Sequence, residues 1–329
     1  MLEHGGRLRQ AAQRYGIPLA DWLDLSTGIA PWTLPLPPVP LSAWSRLPEP
    51  DDGLPEAARQ YYGTDRLLAV AGSQAAIQAL PRLRGPSRVG LFAPAYAEHV
   101  HAWSREGHSL VTLSSAPSGE MLDSLDVLVV INPNNPTGER RPPAVLLDWH
   151  ARLAERDGWM VVDEAFIDST PEDSLAPFAG RPGLVVLRSF GKFFGLAGAR
   201  LGFVLAPSAL LEALEERLGP WTLSGPTRVV ATALLADRAG QTVQRAKLQT
   251  ASQRLVKLLR DNRLPAAGGC ALFQWLASPD ALALHGFLAQ RGILVRHFET
   301  PPSLRLGLPA DEAGWARLAQ ALGEWNDRS

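Results

Sequence analysis

Lys192 stands in the run Ser189-Phe190-Gly191-Lys192-Phe193-Phe194-Gly195-Leu196-Ala197-Gly198-Ala199-Arg200-Leu201-Gly202. An amine flanked by Phe190, Phe193 and Phe194 is partly withdrawn from water. Desolvation disfavours the ammonium form and leaves a nucleophile. The plainer alternative, a solvated surface lysine, sits poorly in a stretch this rich in glycine and phenylalanine. The run is not a P-loop, because Phe193 follows Gly191-Lys192 where Ser or Thr is required, and no G-x-G-x-x-G occurs. Upstream, Asp163 ends the apolar run WMVVD and is followed by Glu164-Ala165-Phe166. A carboxylate at the end of a buried run needs a cation; a protonated pyridine nitrogen or an arginine each meets that need.

Three further segments could hold a ligand. Gly72-Ser73-Gln74 opens a helix, where free N–H groups and the Ser73 hydroxyl can take a phosphate. Taken alone, Ser73 is equally a plain N-cap. Tyr96, in Pro94-Ala95-Tyr96, could lie flat on an aromatic ligand or simply pack. Asn132-Pro133-Asn134-Asn135-Pro136-Thr137-Gly138 is a loop rigid enough to aim an amide at a ligand oxygen, or else a turn. Phosphate donors, a stacking ring, an oxygen donor, a carboxylate and a lysine together match the parts of one cofactor, pyridoxal 5′-phosphate (PLP).

These segments share a setting, since each follows a short apolar run. The runs are LLAVA, VGLFA, VLVVI, WMVVD, LVVLRS and LGFVL, between Leu67 and Leu205. Continuous Val/Ile/Leu runs alternating with helix-like segments read as buried, mostly parallel strands covered on both faces. Ligands collect at the carboxyl ends of such strands. Residues 31–55 are proline-rich and read as an extended crossing segment. After Pro207 helices dominate, including one expected over 227–261, then strands near 271–276, 292–295 and 303–308, and a last amphipathic helix. A large α/β domain over 31–206 is expected, with a smaller α+β domain from 1–30 and 207–329.

Bulk properties narrow the class. The 329 residues are 46% hydrophobic and 20% charged, with a formal net charge of -1. That balance offers no basic field for nucleic acid or membrane. Cys270, the one cysteine, excludes an internal disulfide framework and reads as a small packing residue. No apolar run approaches the roughly 20 residues that span a bilayer. The start MLEHGGRLRQ lacks the apolar core of a secretory signal. A soluble cytoplasmic protein is expected. His99 and His101 lie close to Glu98, but i and i+2 do not share a helix face. The pair reads as solvated, and no metal is expected.

The order and spacing of N-P-N-N-P-T-G, V-V-D-E-A-F and S-F-G-K-F-F-G-L-A-G-A-R-L-G-F resemble the fold-type-I PLP enzymes, the aspartate aminotransferase superfamily. The resemblance implies a seven-stranded, mostly parallel sheet and a homodimer with active sites at the subunit interface. It implies that Lys192 carries the cofactor as a Schiff base, Asp163 pairs with the ring nitrogen, Asn135 bonds the ring's phenolic oxygen and Tyr96 stacks on the ring. Ser73, Ser189 and Arg200 would hold the cofactor phosphate, beside Gly72 and Gln74.

Within the superfamily the chain resembles histidinol-phosphate aminotransferases and threonine-phosphate decarboxylases of cobalamin synthesis. Three features favour the decarboxylases: the start His4-Gly5-Gly6, Phe166 where the aminotransferases usually carry tyrosine, and the short chain. That resemblance implies substrate contacts from His4 and Arg296 to a phosphate, from Arg305 to a carboxylate, and from Asn135. Two positions depart from the pattern. The stretch Ser26-Thr27-Gly28-Ile29-Ala30-Pro31 lacks the usual asparagine, and Arg46-Leu47-Pro48 has leucine where a tyrosine normally reaches the neighbouring subunit's cofactor phosphate. The competing reading is an aminotransferase acting on histidinol phosphate or a similar amino acid. A PLP-binding regulator without turnover is disfavoured, because no basic helix-turn-helix precedes the α/β region.

Overall fold

The computed structural model describes residues 4–328. Residues 1–3 and 329, which fall within the expected small domain, lie outside the described residues. The chain forms two units: Thr33–Asn135 with Arg140–Gln244, and Met1–Trp32 with Pro136–Glu139 and Arg245–Ser329.

The first unit is built on a seven-stranded sheet. Its strands are β1 (Leu67–Val70), β2 (Arg88–Phe92), β3 (Ser109–Leu113), β4 (Val127–Ile131), β5 (Trp159–Asp163), β6 (Leu184–Ser189) and β7 (Gly202–Leu205). Their spatial order is β1-β7-β6-β5-β4-β2-β3. The pairs from β6 through β5, β4 and β2 to β3 are parallel, whereas β7 runs antiparallel to both β1 and β6. The apolar runs form the centre because helices cover both faces: every residue of β4 is buried. Each fully buried Val or Leu contributes about 1.5–3 kcal/mol. Strand β3, absent from the six runs, pairs on one side only. Its Ser109 and Thr112 are exposed, so its apolar signal is diluted.

The reversed direction of β7 matters for the site. Its first residue, Gly202, lies opposite Val70 and Ser189, so the segment ending at Arg200 arrives where the parallel strands end. A Cβ on Gly202 would come within 2.5 Å of the Ser73 amide nitrogen and 2.8 Å of the Arg188 carbonyl oxygen.

The helix expected over 227–261 is two helices, Gly225–Ala236 and Arg238–Asp261. Asp237 breaks them with φ −82° and ψ 75°. Its Oδ1 accepts from the Gly240 amide at 2.9 Å, capping the second helix. The Gln241 amide donates to the Leu234 and Leu235 carbonyls at 2.8 and 3.0 Å, closing the end of the first. The division between units falls after Gln244, not at 206. Helix Ser208–Leu218 packs on β1 and on helix Ser73–Ala79, and Gly225–Ala236 packs on helix Leu54–Tyr62, which ties 207–244 to the sheet.

The second unit has a four-stranded antiparallel sheet in the order Arg296–Phe298, Ser303–Gly307, Phe273–Ala277, Gly268–Cys270. A parallel pair joins Leu23–Asp24 to Ile293–Leu294. Helices Leu8–Tyr15, Ala281–Ala289 and Glu312–Asn326 belong to it, with the greater part of Arg238–Asp261. Pro136–Glu139, the tip of the N-P-N-N-P-T-G loop, belongs here because its backbone lies directly on strand Gly268–Cys270. A Cβ on Gly138 (φ +73°) would meet the Gly269 carbonyl at 2.3 Å. No helix among the described residues is long and apolar enough to cross a membrane.

Candidate active site

The first unit gathers the cofactor candidates at one edge of its sheet. Gly72 and Ser73 follow β1, Tyr96 follows β2, Asn135 follows β4, Asp163 ends β5, Ser189 ends β6 and Lys192 lies on the short helix Phe190–Phe193. Phe190, Phe193 and Phe194 are all buried, and the half-buried Lys192 lies with its Nζ 5.6 Å from the centre of the Phe166 ring. The contact stabilises an ammonium through the ring face but offers it no hydrogen bond. The loops after β2 and β4 are joined by Asn134, whose amide donates to the Pro94 carbonyl at 2.9 Å. Asn132 closes the loop's neck, donating to the Arg141 carbonyl at 3.1 Å and accepting from its amide at 2.8 Å. The Tyr96 hydroxyl donates to Gln74 Oε1 at 3.3 Å, and Gln74 donates to Glu98 at 2.8 Å.

His99 overturns the reading of a solvated pair. His101 is exposed, but His99 is buried, with Nε2 2.9 Å from Asp163 Oδ2. The spacing argument separated the two histidines correctly. It missed that the inward one faces the end of β5. Oδ1 of Asp163 accepts from the Ala165 amide at 3.1 Å. Both carboxylate oxygens are therefore fixed, and the Tyr96 ring stands edge-on to His99 with centroids 6.3 Å apart.

A cradle of glycine, serine and arginine lies beside β1 and β7. Gly72 has φ +76°, and a Cβ there would lie 2.6 Å from Nη2 of Arg200. Arg200 itself holds a left-handed backbone (φ 51°, ψ 52°), rare for a residue with a side chain. The Ser73 and Ser189 hydroxyls and the Arg200 guanidinium are donors of the kind a phosphate takes. With an amine at Lys192 and a fixed carboxylate at Asp163, these residues fit PLP. Among the described residues no group of three or more His, Cys, Asp or Glu is placed to hold a metal ion.

The other side of β5 and β6 carries a charge network that the sequence reading did not single out. Arg188, 3% exposed, donates to Glu164 at 3.3 Å, to Ser174 at 2.9 Å and to Asp168, which also accepts from Tyr61 at 2.8 Å. Burial pushes the Glu164 carboxyl up, against the pull of Arg188. Arg188→Met is expected to cost about 3–5 kcal/mol, because it strands buried carboxylates. A folded-state value raised above the unfolded one means the native protein binds more protons, so stability is lost as pH rises through the folded value. Without Arg188 the rise is larger. The deficit, read from urea midpoints, should therefore be greater at pH 8 than at pH 5.

The second unit holds the remaining candidates. Arg305, 7% exposed on strand Ser303–Gly307, donates through Nη2 to the Ser26 carbonyl at 2.8 Å. Ser26 also anchors the chain start, its Oγ accepting from the Gly6 amide at 2.7 Å. Gly5 is obligatory there, since a Cβ would lie 2.3 Å from the Ser26 carbonyl oxygen. The contact places His4 on the wall of a cleft that Arg296 also lines.

Known proteins resemble this chain in sequence and in fold. The model of the family "Aminotransferase class I and II" matches residues 45–322. A threonine-phosphate decarboxylase of Pseudomonas aeruginosa is 64% identical over 322 residues, covering 98% of this chain and 97% of that protein. One from a Sinorhizobium species is 42% identical over 331 residues, covering 97% of each. A histidinol-phosphate aminotransferase of Sinorhizobium meliloti, solved with pyridoxal 5′-phosphate, has the same fold: TM-score 0.84, 21% identity, 100% of this chain and 99% of that one. The chain therefore belongs to the class I and II aminotransferase family of PLP-dependent fold-type-I enzymes.

Proposed function

We propose that the protein decarboxylates L-threonine O-3-phosphate to (R)-1-amino-2-propanol O-2-phosphate and CO2, in the synthesis of adenosylcobalamin. The observation that carries this is 64% identity to a threonine-phosphate decarboxylase over nearly the whole chain. Supporting it are the histidine and obligatory glycine at the chain start and Phe166 beside Lys192.

Bound PLP supplies an electron sink for the pair released when a bond to the substrate's α-carbon breaks. Lys192 Nζ holds the cofactor and returns a proton to that carbon. Asp163 keeps the ring nitrogen protonated, and His99 keeps Asp163 in place. Ser73, Ser189 and Arg200 hold the cofactor phosphate, with Gly72 leaving room for the Arg200 guanidinium and Gln74 bracing Tyr96. Tyr96 covers the ring and Asn135 donates to its phenolic oxygen. Arg305 takes the substrate carboxylate, and His4 and Arg296 take its phosphate, arginine suiting both because its fork binds oxyanions bidentately. Phe166 has no hydroxyl to hydrogen-bond a ring oxygen.

The protein acts in the cytoplasm as a homodimer. The proline-rich segment of the first unit exposes Leu36, Leu41, Trp44 and Leu47, at 52%, 81%, 67% and 65%, a row of apolar side chains that a second copy would cover. Incubation of the holoenzyme with threonine phosphate should release CO2 without any 2-oxo acid. Turnover that requires a 2-oxo acid and converts the cofactor to its amine form would instead identify an aminotransferase.

A further inference from the structure

Arg200 brings its guanidinium to the cradle from a left-handed backbone, φ 51° and ψ 52°. A residue with a side chain leaves this region unless its surroundings hold it there. The turn before it, Ala197–Ala199, is already pressed against the Lys192 helix, since a Cβ on Gly191 would lie 2.7 Å from the Ala197 Cα. The peptide that joins Ala199 to Arg200 is held through both of its polar groups. Its N–H donates to the Ala197 carbonyl at 3.4 Å. Its carbonyl accepts from the Thr227 hydroxyl at 3.0 Å, across 28 residues of chain. The orientation of that peptide sets φ of Arg200, so Thr227 fixes the angle that strain would otherwise relax.

Thr227 is itself aimed. It lies in the first turn of helix Gly225–Ala236, which Ser224 caps. The Ser224 hydroxyl donates to Thr227 Oγ1 at 3.0 Å, which leaves the Thr227 proton for the Ala199 carbonyl. The start of the helix is anchored, because a Cβ on Gly225 would meet the Ala43 carbonyl oxygen at 2.1 Å. On the other side of the turn, Arg200 Nη1 donates to the Ala197 carbonyl at 3.1 Å, and Nη2 lies where Gly72 leaves space. A negative φ at Arg200 would swing its side chain round and remove both contacts.

We infer that Thr227 is a positioning residue for the cofactor phosphate: through the Ala199 carbonyl it holds the turn that presents Arg200. The inference rests on the reading of Arg200 as a ligand of that phosphate and adds a residue that acts through the backbone.

The test is titration of the full chain, freed of cofactor, with PLP and with pyridoxal, which lacks the phosphate, followed by quenching of tryptophan fluorescence. Thr227→Val keeps the shape and removes the hydroxyl. It should weaken PLP binding by about threefold to tenfold, the loss of one neutral hydrogen bond, and leave pyridoxal binding unchanged. Thr227→Ser keeps the donor and should bind PLP like wild type. The phosphorus resonance of bound PLP should move in Thr227→Val and stay in place in Thr227→Ser. Arg200→Gly removes the guanidinium, and glycine accepts φ 51° without strain, so the fold survives. Its PLP binding should fall by about tenfold to a hundredfold, the loss of a charged contact. Adding Thr227→Val to Arg200→Gly should change nothing further, because the hydroxyl has no guanidinium left to place. Equal weakening of PLP and pyridoxal by Thr227→Val would mark a general loss of packing and overturn the inference. Full additivity with Arg200→Gly would overturn it too. If Arg200→Gly weakens PLP binding and Thr227→Val does not, the inference alone falls. If Arg200→Gly leaves PLP binding intact, the phosphate reading of Arg200 fails and the inference falls with it.

Discussion

Lys192→Ala should lower CO2 release from threonine phosphate by on the order of 10⁴-fold, the upper range for removing a group that both bonds covalently and moves protons. The chain's other two lysines have contacts of their own. Lys247 lies 3.9 Å over the Trp32 ring and Lys257 is paired with Asp261 on a surface helix, both in the second unit. Borohydride treatment of the wild type should therefore fix the cofactor to a single peptide, the one containing Lys192, and fix nothing in the variant. The fold should survive, because Phe190, Phe193 and Phe194 provide the packing around this short helix and alanine is a better helix former than lysine. The Gly72 and Arg200 cradle is also left intact, so the variant should still bind the cofactor reversibly, measured by its absorbance after dialysis. A variant that retains turnover, or a label found on Lys247 or Lys257, would remove Lys192 from the chemistry.

What the sequence reveals about this site depends on where the chemistry lies relative to the chain. Lys192, Asp163, Asn135 and Ser73 each follow an apolar run within a few residues, and the rule that ligands gather at strand ends is enough to find them. Arg200 precedes its strand instead. It reaches the same edge because β7 runs antiparallel, a fact that no local pattern encodes. His99 is missed for a related reason. The two-residue spacing places it opposite His101, but which of them faces inward depends on how helix Ala97–Arg105 sits on the sheet. Arg188 hides inside LVVLRS, where a charged residue in a buried strand makes sense only once Glu164 and Asp168 are seen beside it. Strand β3 is lost because an edge strand buries less than a central one. The break at Asp237 is lost because helical periodicity continues across it, although an aspartate ahead of Gly240 is itself a start signal. Gly138 is legible as a turn glycine, but its close approach to Gly269, far later in the chain, is not.

Asp163→Asn should lower kcat by about 10²- to 10³-fold, the usual cost of losing one electrostatic partner of the reacting system. Asparagine keeps the volume, and its carbonyl can still accept from the Ala165 amide, so the loss reports charge and not shape. His99 meets this carboxylate at 2.9 Å, which makes it a candidate positioning residue. His99→Asn should therefore cost less, about tenfold, as a single buried hydrogen bond does. Both variants should also shift the pH at which the bound cofactor changes its absorbance, a signature that a merely structural defect would not produce. The double variant decides between the two routes. If His99 works through Asp163, adding His99→Asn to a protein that already carries Asp163→Asn should change little, and the two effects should fall well short of additive. Full additivity would mean that His99 serves the reaction by another path, and the contact seen here would be packing alone.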